Sequence, residues 1–185
     1  MNKHIQLFSK FLSVIKIVLV ALSGVFAIVI LISIFNEEAF SSIIVQNAFL
    51  PKYGIGNFNY CPTCTEDSSL RLNEIGINMK IWMLLRGSLL LGLTFMIVSR
   101  MKEICTFATS ISTFYKGSIQ NFNRIAIYGF MIAVLSSFNF FSFNGESDIW
   151  VSFPFLPVAF SLFNLMLAEV FKEGLLLTED TNSII

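Results

Sequence analysis

Cys61-Pro62-Thr63-Cys64 places two thiols at a spacing that permits chemistry. Such a pair can close a small disulfide, and in redox proteins its first thiol becomes a low-pKa nucleophile. Three readings stand: a structural disulfide that ties its loop in an oxidising compartment, thiol–disulfide exchange, or two incidental thiols. A zinc site would need two more ligands, and the single histidine, His4, lies far off along the chain. No metal and no cofactor are therefore expected. The second candidate is Arg86, a lone charge inside an apolar run. An intramembrane arginine faces a bundle interior by default, whereas one about 9 Å from a helix end can also snorkel to the interface. Both placements are open for Arg86. A proton or ion relay would want several ionisable groups at mid-membrane depth, and they are missing. No phosphate loop or Ser/His/Asp arrangement occurs, and one histidine leaves little general-base capacity.

The elements that must position these residues are apolar. The chain is 55% hydrophobic and 13% charged, with 21 Phe among 185 residues. Its mean hydropathy is +0.76. A soluble domain carries about a quarter charged residues, so this chain is read as an integral membrane protein. Formal net charge is zero, and no basic patch suits a nucleic acid.

The clearest span lies between Lys80 and Arg100, where about 19 residues make a helix of about 29 Å, the thickness of a hydrocarbon core. Four spans are expected, at about 13–35, 81–99, 125–143 and 149–168. The first is too long for the apolar region of a signal peptide and lacks a good cleavage site, so it is read as uncleaved. Lys16 is near enough to its end to snorkel. A polar segment of roughly 44 residues, 36–79, follows it as an extracytoplasmic loop. After the second span, residues 100–124 carry apolar residues at three- and four-residue steps, with Gly117 as a stop. Asn144-Gly145-Glu146-Ser147-Asp148 makes a tight turn between spans three and four, and Pro154 with Pro157 should kink the start of the fourth. Gly87, Ser88 and Gly92 should allow close helix packing, and Asn139 and Asn164 can hydrogen-bond between helices. The fold class is thus all-α, a single polytopic membrane domain over residues 1–185 with a tail at 169–185.

Lysine and arginine set the orientation. The amino end, the 100–124 loop and the tail hold Lys3, Lys10, Lys16, Arg100, Lys102, Lys116, Arg124 and Lys172, against Lys52, Arg71 and Lys80 on the other side. The positive-inside rule puts both termini in the cytoplasm. Trp82 and Trp150 then share the outer interface, as an aromatic belt would.

Four spans with an outward CxxC resemble the quinone-linked disulfide-forming enzymes of bacterial membranes. Those enzymes relay oxidising equivalents through a second outward cysteine pair. The second outer loop here has no cysteine, and Cys105 falls on the cytoplasmic side, so the relay is incomplete.

The tail carries a different likeness. Leu167-Ala168-Glu169-Val170-Phe171-Lys172-Glu173-Gly174-Leu175, then Leu177, Glu179 and Asp180, resembles the ending of a bacterial family known as domain of unknown function 2975. Its members are small four-span proteins with a Phe-x-x-Gly signature before an acidic patch. The resemblance is specific over about the last twenty residues, and departs from the family at Asp180-Thr181-Asn182-Ser183, where relatives show an acidic-Asn-Asp run. Members often lie beside a small helix-turn-helix regulator, which implies sensing or signalling in the cytoplasmic membrane. Phe171, Gly174, Glu179 and Asp180 are then candidate docking residues for a cytoplasmic protein partner. The alternative for the tail is a plain helix end, with Gly174 as its cap. Besides the bilayer and this partner, a homo-oligomer is open. The function expected is a non-enzymatic binding or regulatory component. Its rivals are a thiol–disulfide oxidoreductase at Cys61/Cys64, with Arg71 or Arg86 stabilising a thiolate or quinone, and a small transporter subunit.

Overall fold

The computed structural model describes residues 3–36, 38, 40, 72, 75–107, 111–143 and 146–183, with the side chains of 111–114, 139–150 and 179–183 outside that set. Cys61, Cys64 and Arg71 lie outside the described residues. Among the described residues, four helices and one hairpin follow in order: α1 (Lys3–Phe35), α2 (Ile77–Phe107), α3 (Ile111–Ser137), β1 (Phe138–Phe143), β2 (Glu146–Val151) and α4 (Phe155–Ser183). The helical class expected from composition holds. Among the described residues, three helices are long and apolar enough to cross a membrane: α1, α2 and the Phe155–Thr178 part of α4. In lipid, a lone segment must satisfy its own backbone groups, and the helix does so internally.

The helices overrun the expected spans at several ends, and in one region they fall short of them. The third span was expected to run to residue 143 and the fourth to start at 149, yet α3 stops at Ser137 and α4 starts at Phe155. Between them β1 and β2 pair antiparallel, from Phe138 opposite Val151 to Phe143 opposite Glu146. Phe-Asn-Phe-Phe-Ser-Phe and Ile-Trp-Val are aromatic and β-branched, residues that favour a pleated surface. Between the paired ends stands Asn144-Gly145, the dipeptide most suited to a two-residue hairpin turn. The apolar helix of α3 beyond Arg124 is therefore only about 13 residues, or about 20 Å. The hairpin contains the remaining apolar residues.

The two prolines mark the helix start rather than kinking it. Pro154 precedes α4, and Pro157 is its third residue, where the missing N–H has no intrahelical partner to lose. Gly117 does not stop a helix, because α3 runs through it from Ile111. Likewise α4 continues past Gly174 to Ser183, so Gly174 is not a cap.

The chain divides into two compact units. Unit 1 comprises residues 1–20, 92–132 and 156–185, and unit 2 comprises 21–91 and 133–155. In unit 2, Ile30, Leu72, Ile75, Met79 and Met83 form a buried cluster, with Phe26, Val29 and Trp82 packed on it. Gly87 lets the Phe26 ring lie directly against α2, in space a Cβ would fill. Gly92, by contrast, faces open space, so only one of the two α2 glycines serves the close packing expected of both. In unit 1, Ile125 and Ala126 of α3 and Ser161, Asn164 and Ala168 of α4 are buried. Gly129 admits the Ser161 hydroxyl where a side chain would stand. Small residues at helix contacts let backbones approach, the usual means of packing in a bilayer.

Candidate functional site

Among the described residues of unit 2, the buried cations are Arg86 and Lys80, at 7% and 3% exposure. Burying a charge is costly unless it is hydrogen-bonded. Lys80 Nζ donates to the Ser33 carbonyl at 2.8 Å. Ser33 lies in the last turn of α1, whose final carbonyls have no intrahelical partner. The same end is ordered locally: Asn36 N donates to the Ile32 carbonyl at 2.8 Å, and Ser33 Oγ donates to the Ile30 carbonyl at 2.8 Å.

Arg86 repeats the arrangement on another helix. Its Nη2 donates to the Ser136 carbonyl at 3.4 Å, one residue before the end of α3. Ser152 Oγ donates to the same carbonyl at 3.3 Å, and Ser152 N donates to the Ser137 carbonyl at 2.9 Å. A helix C-terminus carries a partial negative charge of about half a unit, which favours a cation there. Two cations of α2 thus meet the C-terminal ends of α1 and α3. Of the two placements open for Arg86, the structure has the inward one. Lys80, read from sequence only as a span boundary, performs the same task and was missed. A basic residue at a span's start gives no hint that a carbonyl 47 positions earlier will receive it.

Unit 1 holds its charges differently. Arg100 Nη1 and Glu103 pair at 2.8 Å, and Lys172 pairs with Glu169 at 2.8 Å, each within one helix and partly or largely exposed. Such pairs contribute little to stability. Lys16 reaches the ring of Phe95, 4.7 Å from its centroid, a cation–π contact with α2 rather than simple snorkelling. Asn164, expected to bridge helices, donates instead to the Phe160 carbonyl of its own helix at 2.8 Å. Cys105 carries a free, half-buried thiol.

The candidate docking residues divide into two pairs. Phe171 is half-buried, its ring 5.8 Å from that of Tyr115 and 5.3 Å from that of Phe122. Gly174 lies beneath Tyr115, where a Cβ would come 2.9 Å from Cε1. Phe107 covers Gly117 in the same way. Phe171 and Gly174 are therefore occupied by α3. Glu179 and Asp180 lie on the α4 helix, with side chains outside the described set. Past Glu169 the two most exposed apolar residues are Val170, 64%, and Leu177, 68%, with Leu176 at 47%. Neither stands out in the sequence, because helical phase relative to α3 decides which residue is covered.

The chain matches no family model, no curated protein and no solved structure. Its chemistry must be argued from the arrangement above.

Proposed function

We propose that the chain is a protein of the bacterial cytoplasmic membrane, crossing it four times with both termini in the cytoplasm, that acts as a non-enzymatic binding or regulatory component. One observation carries the reading. Beyond their apolar segments α3 and α4 continue as helices and hold each other through Tyr115, Phe122 and Phe171, leaving charged and apolar side chains of α4 exposed. A helical platform of this kind suits a protein partner better than a small-molecule reaction. The distribution of lysine and arginine supports the orientation, and the apolar part of α3 beyond Arg124 is read as the fourth crossing. The tail residues Leu167–Leu175 support kinship with domain of unknown function 2975, and with it a sensing or signalling role.

The rival reading, thiol–disulfide exchange at Cys61 and Cys64, needs a cation free to stabilise a thiolate or quinone. The engagement of Arg86 with the end of α3 weighs against its serving there. Mass-tag alkylation of the two thiols in intact membranes, before and after reduction and with added quinone, tests the choice. We expect a redox state that quinone leaves unchanged. Quinone-dependent cycling that Cys61→Ser abolishes would replace the binding reading with the enzymatic one.

A further inference from the structure

Val170, Glu173 and Leu177 stand at steps of three and four along α4, and so share one face of the helix. All three are exposed. Phe171 and Gly174 anchor the helix to α3, so this stripe stands beside the anchored face. Within the apolar part of α4, exposed Phe163 and Met166 continue the same register and need only lipid. Past Glu169 the situation changes. Glu169 and Lys172 form an exposed pair, and charges of this kind leave the hydrocarbon. Val170 and Leu177 then face water unless something covers them.

The charge of the segment selects the occupant. Residues 169–183 contain Glu169, Glu173, Glu179 and Asp180 against Lys172 alone. Helices that lie on a bilayer surface are basic, since the cytoplasmic leaflet is anionic. An acidic helix with an apolar stripe is repelled from it. A symmetric pairing of two α4 helices along the stripe would set Glu173 against its own copy, in a position where like charges destabilise. A basic partner meets neither objection. We propose that Val170, Glu173 and Leu177, flanked by Glu169, form a docking face for a basic amphipathic helix of a partner protein. The partner's leucine-like residues cover Val170 and Leu177, and its lysine or arginine meets Glu173 and Glu169. Phe171 and Gly174 position the face without touching the partner. This assignment rests on the cytoplasmic placement of the tail proposed above.

The test uses the full chain in nanodiscs of zwitterionic lipid, with a labelled helical peptide of leucine and lysine, about 20 residues long, as the probe. The matching leucine–glutamate peptide and empty nanodiscs serve as controls. We expect the lysine peptide to bind in preference to the glutamate peptide, and to weaken as salt rises. Val170→Ser with Leu177→Ser should lower affinity about tenfold or more. The milder Glu173→Gln should lower it less. Equal binding of both peptides, or no loss in the double variant, would overturn the assignment. Photo-crosslinking from position 177 in cells adds a second readout. An adduct with lipid or with a second copy of the chain overturns it, whereas a heterologous adduct lost in Glu173→Lys supports it. Labelling of Leu177→Cys from the cytoplasmic side separates the two levels. If the residue is reachable there and the peptide does not bind, the partner assignment alone fails. If it is not reachable, the underlying placement fails.

Discussion

The two units use charge in opposite ways. In unit 2, Lys80 and Arg86 are buried and directed at the C-terminal carbonyls of α1 and α3. In unit 1, Arg100, Glu103, Glu169 and Lys172 are paired within their own helices and reach solvent, with Arg100 also hydrogen-bonded to Tyr128 of α3. A buried cation must be hydrogen-bonded, so its geometry is constrained and its removal leaves a carbonyl unserved. An exposed pair is weakly bound and can exchange its partner at small cost. Charge alone therefore does not mark a site in this chain. The conspicuous arginine of α2 fastens a helix end, whereas the charges of the tail are exposed.

Four substitutions would break or sharpen this contrast, and their sizes should fall in order. Lys80→Ala removes the donor to a buried carbonyl and should cost about 3 kcal/mol, read as a lower thermal midpoint of the purified protein in detergent. Lys80→Arg should restore part of the loss, which a simple packing defect would not predict. Phe171→Ala opens the ring cluster on α3 and should cost about 2 kcal/mol, below the range for a fully buried phenylalanine because the ring is half-buried. Hydrogen exchange of the 169–183 backbone should rise in the same variant. Gly129→Val forces the Ser161 hydroxyl aside, and overpacking of this kind costs about 1–3 kcal/mol. Since serine can rotate, we place it near the low end, and Gly129→Val with Ser161→Ala should recover stability. Arg100→Gln is the smallest, below about 1 kcal/mol. A loss as large as that of Lys80→Ala would show that the exposed pairs of unit 1 are structural after all.

The helices themselves were legible because lipid leaves an apolar run few alternatives. The runs at 13–35 and 81–99 fall within α1 and α2. Where the reading departed, two physical preferences competed over the same residues. Phe138 to Phe143 is as apolar as a span, and hydropathy cannot separate a helix from a strand there. Aromatic content and the Asn-Gly dipeptide carried the information instead. Propensity suggests Gly117 and Gly174 as helix ends, whereas each is small to admit a ring from another element. Propensity is a weak prior, and tertiary contact overrode it at both.

The inward placement of Arg86 was out of reach for a related reason. Its partner, Ser136, is 50 residues away, and no local pattern links them. The same holds for the division of the tail. Phe171 and Val170 are adjacent in sequence, and only the packing of Tyr115 and Phe122 decides that the first is covered and the second exposed.

The most direct measurement is thiol labelling of a single Leu177→Cys variant, with the native cysteines replaced, by a membrane-impermeant maleimide. It should be made in intact cells and in inside-out vesicles washed with high salt to strip any bound partner, with an Arg86→Cys variant alongside. The account predicts that position 177 reacts rapidly in inside-out vesicles and not in intact cells, while position 86 reacts in neither. Labelling of 177 from outside the cell, or protection of 177 on both sides, would contradict it.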